Sequence, residues 1–147
     1  MNNNHAVVKD HHKDKITPQL VTAASTNHFT EHNEHMAPIK KNYPGQKVLV
    51  YDLGLIQPEI DWIKSQPDFY IYEKFDFDEY PWHVRNLQNF AWKVVIWMET
   101  LQKYRAIQYF DSSIWFTQNS RPALLKKMFG KDKPANTCWL YYIKPAG

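Results

Sequence analysis

Acids and hydroxyls stand in or directly after four short apolar runs of this 147-residue sequence. Thr22 and Ser25 belong to VTAAS, Asp52 follows KVLVY, Asp76 and Asp78 follow FYIYEKF, and Asp111, Ser112 and Ser113 follow AIQYF. Carboxylates and hydroxyls at strand ends suit a divalent cation and a ribose better than a pyrophosphate cradled by a glycine-rich loop. Glycine is scarce, with 4 residues, and neither G-x-G-x-x-G nor G-x-x-x-x-G-K-[S/T] occurs. Lys93 is the one charged group in FAWKVVIWM, so its stem either lies on apolar surface with the head in solvent or carries the head to a phosphate. Arg85, just before that run, is a second cation for such a role. Asp52 has an alternative use as the cap of the turn that follows it.

Histidines offer a different chemistry. His28, His32 and His35 have the i, i+4, i+7 spacing that lines imidazoles along one helical face, as a zinc site requires. No glutamate directly follows His28, so HFTEH lacks the zinc-protease pattern, and Glu31 and Glu34 also fit a plain solvated face. The single cysteine, Cys138, excludes an internal disulfide framework and a cysteine-based zinc site.

The elements that must position these groups alternate. Residues 20–24 read as a strand, and helical spacing carries Phe29, His32, Met36 and Ile39 to Tyr43 before Pro44-Gly45. Residues 47–51 are an apolar, β-branched strand buried on both faces, and Pro58 opens a short helix with Ile60, Trp62 and Ile63. Residues 69–72 form a third strand, and residues 73–82 a loop. The long helix spans residues 89–104, with Phe90, Val94, Trp97, Leu101 and Tyr104 as its core stripe and Ala91, Val95 and Met98 as a second. Residues 106–110 form the fourth strand, Ile114-Trp115-Phe116 extends it or begins another, and residues 121–129 form a last helix. Tyr51 and Trp92 read as core. This alternation specifies an α/β fold with a mainly parallel, Rossmann-like sheet flanked by helices. Ligands in such sheets sit at the carboxyl ends of the strands, near the switch in strand order.

Composition agrees with one domain: 44% hydrophobic and 22% charged residues exclude wholesale disorder. No apolar run reaches the ~20 residues of a bilayer-spanning helix. The net charge of +3 is concentrated at the end, where Arg121, Lys126, Lys127, Lys131, Lys133 and Lys144 face Asp132 alone. The middle of the chain is acidic, and the rings follow core periodicities, so nucleic acid is not an expected partner.

Four segments together, VTAASTNHF, KVLVYDLGL, NFAWKVVIWMETLQKY and IQYFDSSIWF, resemble the invertebrate family DUF1647, which is similar to the GT-A nucleotide-sugar glycosyltransferases. The resemblance runs over residues 18–116. It implies a GT-A-type nucleotide-binding half-domain in which an acidic D-x-D motif after an apolar strand holds Mn²⁺ or Mg²⁺ on the donor diphosphate. Asp111 matches the first aspartate of that motif and Ser113 stands in the place of the second, so the two are the implied metal residues. Thr22 and Ser25 would meet the nucleoside, and Asp52 and Lys93 complete the implied donor-binding set. The expected partners are a nucleotide-sugar donor and a glycan or protein acceptor, and full-length relatives are expected in the Golgi or secretory pathway.

Residues 130–147 do not resemble the family's continuation. The expectation is therefore a shortened form with three parts: a disordered lead-in over 1–17, the half-domain over 18–120, and a basic helix and tail over 121–147. Two alternatives stand beside the transferase reading. One is a non-catalytic remnant that binds a nucleotide or a partner, and the other is the histidine-based metal module.

Overall fold

A computed structural model describes residues 17–118 and 141–143. Its strands and helices are β1 (Gln19–Ala24), α1 (Phe29–Asn42), β2 (Val48–Asp52), α2 (Gln57–Lys64), β3 (Tyr70–Lys74), α3 (Ala91–Lys103), β4 (Ala106–Tyr109) and β5 (Tyr141–Ile143). They build one sheet of order β3-β2-β1-β4-β5. The first four strands are mutually parallel, and β5 runs antiparallel to β4 at the edge. The expected α/β, mainly parallel sheet is therefore the observed one, and residues 48–52 and 106–109 lie in the same sheet on either side of β1.

The chain winds outward from β1 through β2 to β3, then returns past β1 to lay down β4. Right-handed crossovers run in opposite directions before and after that reversal, which puts their helices on opposite faces. Accordingly α1 and α2 share one face, where Leu20, Ala24, Val48 and Val50 meet Met36, Ile39 and Ile63. On the other face α3 brings Trp92 and Ile96 against Val21, Leu49, Tyr51, Ile107 and Tyr109. Every residue of β2 is buried, as expected of a central strand covered on both sides.

The core side of α3 departs from the expectation. The buried ridge is Trp92, Ile96 and Thr100, flanked by half-buried Ala91, Val95, Trp97, Leu101 and Tyr104. Phe90, Val94 and Met98 are 56%, 51% and 61% exposed. Apolar residues surround this helix almost completely, so hydrophobicity does not fix its rotation. Thr100 belongs inside because its hydroxyl donates to Ile96 O at 2.6 Å and lies within hydrogen-bond reach of the Tyr51 hydroxyl at 3.3 Å.

Two further corrections concern the end of the chain. Ile114-Trp115-Phe116 is not a strand: after a turn at Ser112 and Ser113 it folds back. There Phe116 packs edge-on against Phe110 and Tyr43, and its carbonyl accepts from Asn42 Nδ2 at 3.1 Å. Tyr141–Ile143, read as tail, instead adds β5 beside β4. All but the last residue of the expected lead-in over 1–17, and the helix expected over 121–129, lie outside the described residues. Among the described residues, no helix is long and apolar enough to cross a membrane.

Candidate functional site

The reversal of strand order falls between β1 and β4, whose pairing stops at Val21 and Tyr109 while β1 runs on beside β2 to Ala24, and this switch point is where a crevice is expected. A cavity of about 870 Å³ occupies it. Ala23 and Ser25 line it from the end of β1, Asp111, Ser112 and Ser113 from the end of β4, and Lys93 from the first turn of α3. Four of the residues expected at a donor site, Ser25, Lys93, Asp111 and Ser113, thus share one cavity with Arg85.

Lys93 and Asp111 form the centre of its charge. Lys93 Nζ lies 2.7 Å from Asp111 Oδ1 and 2.8 Å from Oδ2, so the ammonium straddles the carboxylate. The lysine side chain is 18% exposed and the aspartate 47%. Three rings face the ammonium, with Phe90, Trp92 and Tyr109 centroids at 4.6, 5.5 and 6.0 Å. Tyr109 Oη donates to Asp111 Oδ1 at 3.3 Å; burial, and then the neighbouring carboxylate, holds its phenol well above the ordinary value. The head of Lys93 is therefore ion-paired at the cavity rather than free in solvent.

Local sequence sets this corner. Asn86 accepts from Gln88 N at 3.1 Å and starts the short turn Leu87–Asn89. Trp92 Nε1 donates to Leu87 O at 3.0 Å and pins that turn to α3. Phe90, between them, has φ +53°, a left-handed conformation disfavoured for a bulky residue. That conformation leaves the ring half-exposed on the cavity wall. Arg85 pairs with Asp78, which keeps Asp78 out of the lining, while Asp76 caps its own turn by accepting from Asp78 N at 3.0 Å.

Two expected site residues lie elsewhere. Thr22 is fully buried within β1, on the sheet face that carries α1, and its hydroxyl has no hydrogen-bond partner. Asp52 is 6% exposed. Its Oδ1 accepts from Gly54 N at 2.8 Å and Leu55 N at 2.7 Å, and its Oδ2 accepts from Tyr72 Oη at 2.7 Å. This is the turn-capping alternative: the carboxylate is spent on its own loop, where Gly54 takes φ +124°. Burial first, and Asp52 second, push the Tyr72 phenol up to about 12.

The three histidines do not converge. His28 ends the turn Thr26–His28 ahead of α1, which breaks the helical phase, and it pairs with Glu31 at 3.1 Å. His32 is fully buried between Phe29 and Tyr70, and His35 is buried against Trp115 with ring centroids 4.3 Å apart. Burial, aided by His35, lowers the His32 pKa to about 4. No group of three or more His, Cys, Asp or Glu that could hold a metal occurs among the described residues. The expected histidine metal module is thus corrected: His32 and His35 are core residues, and His28 is exposed beside Glu31.

The His28–Glu31 pair instead lines the cavity rim. An imidazole held through Nδ1 by a carboxylate keeps Nε2 for a further hydrogen bond. Sequence reading missed the place of His28 and Glu31 on the cavity lining, and missed the turn that presents Asn86, Gln88 and Phe90. The i, i+3 spacing of His28 and Glu31 at a helix start was its one available sign.

The donor set does not make a divalent-ion site by itself. Mg²⁺-type ions take near-octahedral oxygen ligands, and the single carboxylate at the D-x-S motif already has its charge matched by Lys93. An ammonium and a guanidinium, each paired with a carboxylate, and the residues Ser25, Ser112 and Ser113 line one space beside the N-terminal end of the 13-residue α3.

The family model for a protein of unknown function, DUF1647, matches residues 1–98. That stretch includes β1 to β3 and Lys93, and ends before Asp111. No curated protein and no solved structure matches the chain. With two thirds of its length matched, the chain belongs to the DUF1647 family.

Proposed function

We propose that this chain binds the nucleoside-diphosphate part of a nucleotide-sugar donor, as the donor half of a glycosyltransferase-like protein. The observation that carries the reading is the position of the cavity: it opens at the β1–β4 switch point, with Lys93, Arg85, Ser25, Asp111 and Ser113 on its walls. In sheets of this type the nucleotide lies across that crevice. Ala23 and Ser25 offer small side chains beside a ribose, and the cations and the α3 N-terminus face the diphosphate.

In transfer, the bond from the anomeric carbon to the β-phosphate oxygen breaks, the acceptor hydroxyl oxygen bonds that carbon in its place, and the hydroxyl proton passes to a base or to solvent. Negative charge then collects on the departing diphosphate, and fixed positive charge there lowers the barrier. Lys93 and Arg85 supply such charge from this chain's own residues. A divalent ion delivered with the diphosphate would supply more of it.

Isothermal titration of the chain with uridine diphosphate, in separate Mn²⁺ and EDTA arms, tests the reading. Saturable one-to-one binding in either arm supports it. Absence of binding in both arms, in a chain with a folded circular dichroism spectrum, overturns it.

A further inference from the structure

We propose that Lys93 stands in for the divalent ion, so that the cavity binds a diphosphate without metal. The inference rests on the reading of the cavity as a diphosphate site and concerns which cation does the work there.

The geometry around Nζ is that of a built-in cation. The ammonium contacts both oxygens of Asp111, at 2.7 and 2.8 Å, in the place where the D-x-S motif would offer a carboxylate to a metal. An ammonium has three N–H donors, and a carboxylate takes two of them at most in this arrangement. The third remains for a phosphate oxygen in the cavity. The rings of Phe90, Trp92 and Tyr109 box the charge and confine the side chain to this position. Tyr109, donating to Oδ1, holds the carboxylate in the orientation that receives the lysine.

A dication at Asp111 meets two obstacles. It would sit within a few ångströms of a fixed ammonium, where like charges repel strongly even at an effective dielectric constant of about 20. It would also find one carboxylate whose charge is already matched. The other carboxylate of the lining, Glu31, is paired with His28. An ammonium supplies less charge than a metal, and the neighbouring features compensate for the difference. Arg85, paired with exposed Asp78, shares the lining, and the N-terminal end of α3 adds its partial positive charge beside Lys93. Asp111 is then a positioning residue for Lys93.

The test compares affinities for uridine diphosphate by isothermal titration of the full chain, in EDTA and in Mn²⁺. Dissociation constants that agree within about threefold are expected for the wild type. Lys93→Gln is expected to weaken binding tenfold or more in EDTA, with Lys93→Arg restoring most of the loss. Asp111→Asn is expected to weaken binding by the same factor in both arms, whereas a metal ligand would lose affinity in the Mn²⁺ arm selectively. Wild-type binding that falls tenfold or more in EDTA overturns the inference and leaves the diphosphate reading standing. Equal binding by wild type and Lys93→Gln in EDTA also overturns it. Loss of binding in both arms overturns the underlying reading instead. The wild-type comparison needs no variant, so the inference stays exposed to failure even if Lys93→Gln does not fold.

Discussion

Asp52 and Asp111 occupy equivalent places in the sequence, each following an apolar strand that ends in a tyrosine or phenylalanine, yet they serve different purposes. Asp52 closes β2 at the centre of the parallel sheet and is almost entirely enclosed, with two backbone amides and the Tyr72 hydroxyl as donors. Asp111 leaves β4 at the strand-order switch, stays half-exposed, and receives a side-chain cation beside a cavity of about 870 Å³. A strand-end carboxylate becomes a cap when the chain turns back over it. It becomes available to a ligand when neighbouring strands part. The topology makes that choice.

The largest expected effect separates the two directly. Asp52→Ala strips acceptors from two amides and one hydroxyl in a buried turn, and urea denaturation should show a loss of about 2–4 kcal/mol. Asp111→Ala removes a partly exposed ion pair and should cost about 1 kcal/mol or less. A stability loss at Asp111 equal to that at Asp52 would break the comparison.

Acid distinguishes the enclosed side from the open one as well. His32, on the buried face of α1, has a folded-state pKa of about 4 against its ordinary value of 6.5, because burial first and His35 second disfavour its charge. Between those values the unfolded chain binds the extra proton. Stability is therefore complete above about pH 6.5, declines by up to about 3 kcal/mol as pH falls towards 4, and levels off below. His32→Phe, which keeps a ring between Phe29 and Tyr70, should flatten that part of the profile in urea titrations across pH. A slope unchanged by the substitution would assign the proton uptake elsewhere.

Smaller changes sharpen the account of the Asp52 turn. Gly54→Ala meets no atom within 4 Å, so its cost should be that of the φ +124° backbone alone, about 1–2 kcal/mol by thermal melting. Asp52→Asn keeps Oδ1 as acceptor for both amides and lets Nδ2 donate to Tyr72. It should cost under about 1 kcal/mol if the cap, rather than the charge, is what matters. A loss as large as that of Asp52→Ala would show that the charge itself is required.

What the sequence disclosed follows the physics of each element. β2 was plain, because VLVYD is apolar along its length and a strand covered on both faces needs no alternation. The spacing of His32, Met36, Ile39 and Tyr43 marked the buried face of α1 correctly. The rotation of α3 was hidden, since Phe90, Val94 and Met98 are as apolar as the residues that pack, and Thr100 is buried through a bond to its own helix. β5 was hidden because three residues carry little local signal and pair with a strand distant in sequence. At the cavity, strand-end position was enough to pick out Ser25, Asp111 and Ser113 as residues of the lining. The same rule also selected Asp52 and Thr22, because it carries no information about which strands diverge or which face a side chain takes. The contribution of Phe90 was out of reach, as no residue pattern signals a phenylalanine at positive φ.

The most direct measurement follows backbone amide shifts by NMR while uridine diphosphate is added to the isotopically labelled chain. The account predicts saturable shifts at Ser25, Lys93, Ser112 and Ser113, with Gly54 and Leu55, the amides bound to Asp52, left in place. Shifts centred on Gly54 and Leu55, with Ser112 and Ser113 unmoved, would contradict it.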